Sequence, residues 1–361
     1  MLPDHGGRCV SSIIPALVSG WATEAVSDEV VRADAVVVLV VDGLGWHQLM
    51  RHAQHAPTLT AGAGAPITTV APSTTASALT SISTGASPGE HGVVGYRVRT
   101  SDGILNCLRW TTPRGDARGT LVPEAFQPIE PFLGAAPPVV TKAEFRDTGF
   151  TDAHLRGGAW HGWWTPFTLV SEVAACVERG ERLVYAYYDG LDKVGHVYGI
   201  GDEYATELAG IDRLIGDLLE NLPSGTELLV TADHGMVHVG DALVELSGDV
   251  LSGVASTSGE ARFMWLHTKQ GAADEVSSAA HAAHCDVGWV AQVEQVLDEK
   301  WFGHTVRREA RERLGDVALV AREPIGFVEP ATPEMPWLIG RHGGLTAEEM
   351  HVPLIRLTAG G

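Results

Sequence analysis

Carboxylate and imidazole side chains recur behind three apolar runs. Asp42 follows "AVVVLVV" (35–41), Asp192 and His196 lie in "DGLDKVGH" just after "RLVYAYY" (182–188), and Asp233 and His234 follow "TELLVT" (226–231). Near the C-terminus "GRHGG" (340–344) adds His342 among glycines. Oxygen and nitrogen donors of these types hold Zn²⁺ or a similar divalent ion. Three aspartates and three histidines exceed the needs of one tetrahedral ion and suit two adjacent ones. With 16 histidines in the chain, any one Asp-His pairing reads equally well as a cap or a surface pair. The weight lies in the recurrence.

A nucleophile is offered by "TTVAPSTTASALTSISTG" (68–85), in which ten of eighteen residues carry a hydroxyl. The pattern predicts a helix beginning after Pro72 and stopping at Gly85. A helix N-terminus presents free N–H groups and the positive end of a dipole, which suits an anion. Ser73, Thr74 and Thr75 all stand at that end, and residue type alone does not choose among them.

The elements that position these groups follow from the apolar runs. Continuous β-branched runs read as strands buried on both faces, hence a mostly parallel sheet. Segments 163–180 and 204–222 read as helices between them, giving a doubly wound α/β fold with helices flanking the sheet. Ligands in such sheets sit beyond the carboxyl ends of the strands, where the aspartates stand. Residues 97 to about 160, rich in Arg, Gly, Pro and Trp, read as a cap-like insertion within a single catalytic domain spanning 1–361. Residues 236–340 read as a second irregular stretch, with a helix over 272–297 and a strand over 316–321.

A formal net charge of −20 argues against nucleic-acid polymers and anionic membranes as partners. It leaves room for a small phosphate substrate, because bound cations reverse the local field. The four cysteines (Cys9, Cys107, Cys176, Cys285) form no close pair and suit reduced thiols in a cytoplasmic protein. The first twenty residues do not read as a signal peptide, and the longest apolar run is too short to span a bilayer. No oligomeric state is assigned by any of these features.

Taken in order, "VVVLVVDGLG", "APSTTASALTSISTGASPGEHGVVGY", "DGLDKVGH", "LLVTADHGM" and "RHGG" resemble the alkaline phosphatase superfamily, and within it the nucleotide pyrophosphatase/phosphodiesterase branch. The resemblance implies an alkaline phosphatase-like fold and a metal-dependent hydrolase of small phosphate esters, above all a phosphodiesterase. It implies a threonine nucleophile nine residues before the Thr of a Thr-Gly pair, here Thr75 before Thr84-Gly85, and a phospho-threonine intermediate. It implies two divalent ions, zinc first and manganese as the alternative. One would be held by Asp42, Thr75, Asp233 and His234, the other by Asp192, His196 and His342.

Two positions depart from that branch. A Phe-Pro-Asn type sequence usually follows the nucleophile, where this chain has Ala76-Ser77-Ala78. Tyr96 stands about where an asparagine holds a phosphoryl oxygen, and is the candidate substrate-binding residue. Phosphomonoesterase, phosphonate hydrolase and phosphomutase are the alternatives within the superfamily; a non-catalytic metal-binding regulatory protein is the alternative outside it.

A monoesterase needs an added cation, for which Arg97, Arg99, Arg109, Arg114, Arg118, Lys142, Arg146 and Arg156 are candidates. Trp110, Trp160, Trp163 and Trp164 offer either a stacking surface or an apolar seam. His47, His52, His55, His281 and His284 read as helix-face residues and His91 as structural, while His238 stands close enough to the Asp233-His234 pair to contact substrate.

Overall fold

The computed structural model describes residues 1–329 and 337–360. Seven strands form the main sheet: β1 (Val36–Val41), β2 (Ala63–Thr68), β3 (Pro138–Lys142), β4 (Ala159–Trp163), β5 (Leu183–Tyr188), β6 (Glu227–Thr231) and β7 (His351–Thr358). Their spatial order is β2-β7-β6-β1-β5-β3-β4. The three apolar runs are the central strands. Val38 lies opposite Tyr185 of β5 on one side and Leu229 of β6 on the other, both in parallel register. β3 and β4 extend the parallel half, and only β7 runs against its neighbours. All six residues of β1 are buried, so both faces of the sheet are covered. This is the α/β architecture expected.

Four helices matter for the site: α1 (Thr75–Thr84), α2 (Pro166–Glu178), α3 (Gly190–Tyr198) and α4 (Asp202–Asn221). In α2, Pro166 occupies the first turn and Thr165 and Thr168 cap it reciprocally. In α4, Tyr204, Leu208, Ile211, Ile215 and Leu218 form the buried stripe at three-four spacing.

Every residue of α1 is buried although six of its ten residues are Ser or Thr. That is tolerable because the hydroxyls are spent locally. Thr80 Oγ1 donates to Ala76 O (2.7 Å), Thr84 Oγ1 to Thr80 O (2.6 Å) and Ser77 Oγ to Val93 O (2.8 Å). Gly85, at φ +73°, stops the helix in the left-handed region.

The insertion is shorter than the sequence suggests. Residues Arg97–Thr100, Gly103–Asn106, Thr111–Thr112 and Gly115–Asp116 make a small four-stranded sheet, but β3 and β4 belong to the main sheet. Of their five-residue segments, "AWHGW" has no β-branched residue and "PVVTK" has a run of only three, too short to read as a strand alone. β3 is fixed by pairing with β5, and β4 by pairing with β3.

A second sheet lies within 236–329. Val254–Glu260, Phe263–Thr268, Val317–Ala321 and Gly288–Gln292 pair in that order, over a core that includes Leu266, Val276, Leu319 and Phe327. The stretch is therefore regular, not irregular. The helix expected over 272–297 is really a helix Ala273–His284, a strand Gly288–Gln292 and a short helix Val293–Asp298. Its middle is drawn into extended pairing with Val317–Ala321. Among the described residues no helix is long and apolar enough to cross a membrane.

Candidate active site

The carboxyl ends of β1 and β6 and the N-terminus of α1 converge. Asp42 leaves β1 with its N–H donated to Tyr188 O of β5 (2.9 Å). Gly43 follows at φ +75°, and a side chain there would come within 3.0 Å of the Asp192 backbone. Its N–H instead reaches Asp233 Oδ1 (3.2 Å). His234 Nε2 lies 3.3 Å from Asp42 Oδ1, 3.4 Å from Asp233 Oδ2 and 3.1 Å from Thr75 Oγ1. Thr75 is the first residue of α1, so its hydroxyl stands at the electropositive end of that helix.

A second group adjoins the first. Asp192 and His196 sit one turn apart on α3, with His196 Nε2 3.4 Å from Asp192 Oδ2. His342 Nε2 lies 3.8 Å from the other oxygen of Asp192. Candidate ligand atoms of Asp42, Asp233 and His234 all fall within 4.8 Å of one another, and so do those of Asp192, His234 and His342. His234 thus stands in both groups. His196 approaches through Asp192, its ring centroid 5.1 Å from that of His342.

The donor set fits divalent cations. His234 Nδ1 bonds Gly235 O (3.0 Å), His196 Nδ1 bonds Gly340 O (2.7 Å) and His342 Nδ1 bonds Ser73 O (3.0 Å). A carbonyl only accepts, so each Nδ1 carries the proton and each Nε2 is left with a free lone pair. Asp42 Oδ1, Asp192 Oδ1 and Asp233 Oδ2 are buried without a hydrogen-bond partner, an arrangement that cations would satisfy. Burial, then the neighbouring Asp233 and Asp192, pushes the Asp42 carboxyl well up, and burial raises Asp233 too. Burial, then His234 and His196, holds His342 well below the usual imidazole range, and therefore neutral.

Neither Ser73 nor Thr74 caps α1 through its side chain. Thr74 is at the cap position without a side-chain cap bond, and Ser73 Oγ donates to Gly344 O (2.7 Å), tying the His342 loop to α1.

Thr75 opens on a cleft of about 690 Å³ lined also by Tyr96, Asp192, His196 and His342. The structure therefore brings the eight sequence-selected residues to one place. Tyr96 accepts a hydrogen bond from Asn106 Nδ2 (2.7 Å), which leaves its own proton for another acceptor. Asn106, Glu260 and Lys193 also line the cleft and had no signal in the sequence. Asn106 comes from the small four-stranded sheet and Glu260 from the second sheet, neither of which has readable periodicity in the sequence. Lys193 directly follows Asp192 on α3. Tyr187, whose hydroxyl bonds Asp42 Oδ2, was hidden inside an apolar run. Burial raises the Glu260 carboxyl to about 8.

Other candidates lie elsewhere. Arg97 lines the cleft, but Arg118 bonds Asp116, Arg156 bonds the Ala153 and Ile129 carbonyls, and Lys142 bonds Asp189. Trp110 and Trp163 are buried, donating to Leu121 O and Tyr187 O, while Trp164 is exposed. None of these three forms a stacking wall of the cleft. His91 is structural, bonded to Ser81 Oγ (2.9 Å). His284 is buried against Phe327 rather than on the helix surface. His238 is exposed and does not line the cleft.

Comparison with known proteins supplies the family. The sequence model of the type I phosphodiesterase / nucleotide pyrophosphatase family matches residues 36–345. No curated protein sequence matches the chain. Among solved structures, murine ectonucleotide pyrophosphatase / phosphodiesterase 5 superposes with a TM-score of 0.66 at 18% identity, covering 89% of this chain and 87% of that one. The human protein of the same name gives 0.67 at 18% identity over the same shares. An inactive threonine-to-alanine variant of the murine protein, in complex with AMP, gives 0.65 at 18% identity over the same shares. At these identities the likeness is one of fold.

Proposed function

The chain belongs to the type I phosphodiesterase / nucleotide pyrophosphatase family, whose members hydrolyse phosphoric esters with metal ions, and on that premise we propose that Thr75 is its nucleophile against small phosphodiesters. The observation that carries this reading is the place of Thr75 Oγ1. It lies 3.1 Å from His234 Nε2 at the head of α1 and at the floor of the cleft. The AMP complex of the murine relative supports a small phosphate ester as the ligand class.

Asp42, Asp233 and His234, with Thr75, would hold one divalent ion; Asp192, His196 and His342 would hold a second, zinc first and manganese next. Bound there, such ions supply the positive charge that favours the Thr75 alkoxide and the departing oxygen. The residues of the chain do the rest. The α1 N-terminus directs its dipole at the phosphoryl group. Tyr96, held by Asn106, donates its hydroxyl proton to a phosphoryl oxygen. Thr75 Oγ attacks phosphorus in line; the P–O bond to one alcohol breaks and that alcohol leaves with a proton. Water then attacks the Thr75 phosphoester, releasing the phosphomonoester and restoring the hydroxyl.

A substrate panel on zinc- and manganese-loaded protein tests the reading with an aryl phosphate monoester, a diester and a phosphonate monoester. Preference for the diester is expected; exclusive cleavage of the monoester would overturn it. All four cysteines are free and three are buried, which supports the reading of reduced thiols in a cytoplasmic enzyme. Cell fractionation tests that point.

A further inference from the structure

Thr75 stands between two chambers. Besides the large cleft, a second cavity of about 220 Å³ meets it, and Thr75, Leu108, Asp192 and Lys193 line both. The smaller chamber is walled by Leu79, Phe145, Phe150, Leu155 and Tyr185. Its polar side chains are largely spent on the protein itself. Thr151 Oγ1 donates to Phe145 O (2.7 Å), Thr148 Oγ1 donates to Thr151 Oγ1 (3.0 Å) and His154 Nδ1 donates to Phe150 O (2.6 Å). Lys193 and Lys142 both pair with Asp189, at 2.5 and 2.8 Å. The hydroxyl of the fully buried Tyr185 has no hydrogen-bond partner, and neither have Asp42 Oδ1 and Asp192 Oδ1 of the ligand groups.

We infer that this chamber takes a single-ring-sized apolar group of the ester, an aryl or compact branched alkyl arm, while the bulkier arm lies in the large cleft. This rests on the phosphodiesterase reading of Thr75 and names the substrate class for it. Size and chemistry agree. An apolar cavity of about 150 Å³ holds one benzene ring, so a chamber of about 220 Å³ holds a ring with a substituent but no fused system with a sugar attached. A nucleobase would also bring several edge donors and acceptors against the apolar side chains of Leu79, Leu108, Phe145, Phe150 and Leu155, and each left unpaired on burial costs free energy. Ala76, buried directly after the nucleophile, offers no ring for a base to stack on.

The test uses metal-loaded enzyme and three phosphonates as inhibitors: methyl, phenyl and 1-naphthyl. Phenylphosphonate is expected to bind more tightly than methylphosphonate by roughly tenfold or more, from burial of one ring. 1-Naphthylphosphonate is expected to bind more weakly than phenylphosphonate. Phe145→Ala enlarges the chamber and should reverse the phenyl–naphthyl order, which a merely structural role for Phe145 would not do. Naphthyl binding as tightly as phenyl in the unmodified enzyme would overturn the inference, because the large cleft does not discriminate between them. Hydrolysis of bis(4-nitrophenyl) phosphate is measured on the same preparation. Turnover without the size limit rejects the chamber alone; the size limit without turnover leaves the chamber standing and rejects the phosphodiesterase reading.

Discussion

His234 and His342 lie face to face, their ring centroids 3.6 Å apart and their planes 11° from parallel. One ring follows the β6 end and the other comes from the C-terminal loop, so this stack joins the two ligand groups. Two imidazolium rings at that distance would repel, and the lowered basicity of His342 keeps at least that ring neutral and able to donate a lone pair.

Removal of metal should therefore abolish activity and destabilise the fold. Buried carboxylate oxygens of Asp42, Asp192 and Asp233 would be left without partners. Dialysis against a chelator should lower the melting temperature and the rate together, and zinc or manganese should restore both. Elemental analysis should find two ions per chain, with a loss in Asp233→Asn or Asp192→Asn. Undiminished activity in protein shown to be metal-free would contradict the account.

Tyr96→Phe should cut kcat/KM without altering stability. A hydrogen bond to a charged phosphoryl oxygen contributes about 1.5–3 kcal/mol, which is roughly ten- to a hundredfold in rate. Asn106→Ala should produce a smaller loss, since it acts through Tyr96 (2.7 Å away). A Tyr96→Phe enzyme with unchanged kcat/KM would remove the tyrosine from the site.

The buried Arg262–Glu349 pair should matter for stability and for the His342 loop. Both side chains are fully buried, bonded at 2.7 and 2.8 Å, and Glu349 Oε1 also accepts from Gly344 N (2.8 Å). Arg262→Met leaves an uncompensated buried carboxylate, for which a cost of about 3–5 kcal/mol is expected. Denaturant titration reads this directly. A change below about 1 kcal/mol, the worth of an exposed pair, would show that the pair is not buried as described.

Acid should weaken the protein partly through His91. Burial lowers this imidazole to about 3 from an ordinary 6.5. The native state therefore keeps His91 neutral while the unfolded chain takes up a proton below pH 6.5. The stability it contributes is full above that value and is lost as pH falls toward 3, at most about 1.4 kcal/mol per pH unit. His91→Gln should narrow the gap in unfolding free energy between pH 7 and pH 5. An equal or wider gap would contradict the assignment.

The central sheet and its ligands were legible because β1, β5 and β6 are continuous apolar runs, each followed within a few residues by one of the aspartates Asp42, Asp192 and Asp233. Thr75 could not be separated from Ser73 and Thr74 by composition; only motif order selected it, and the fold shows why the other two differ. Ser73 is committed to Gly344 O, and Thr74 precedes the helix. What was missed came from elements without periodicity of their own. β3 and β4 are strands by virtue of pairing, first with β5, and Asn106 and Glu260 reach the cleft from two smaller sheets outside the main one. Tertiary contacts of that kind leave no local trace.

The most direct measurement is to quench the metal-loaded enzyme during turnover of bis(4-nitrophenyl) phosphate and map modified peptides by mass spectrometry. The account predicts a peptide carrying the 4-nitrophenyl phosphoryl group on Thr75, absent in a Thr75→Ala variant that is folded, binds metal and is inactive. Steady turnover with Thr75 never modified, or full activity in Thr75→Ala, would contradict it.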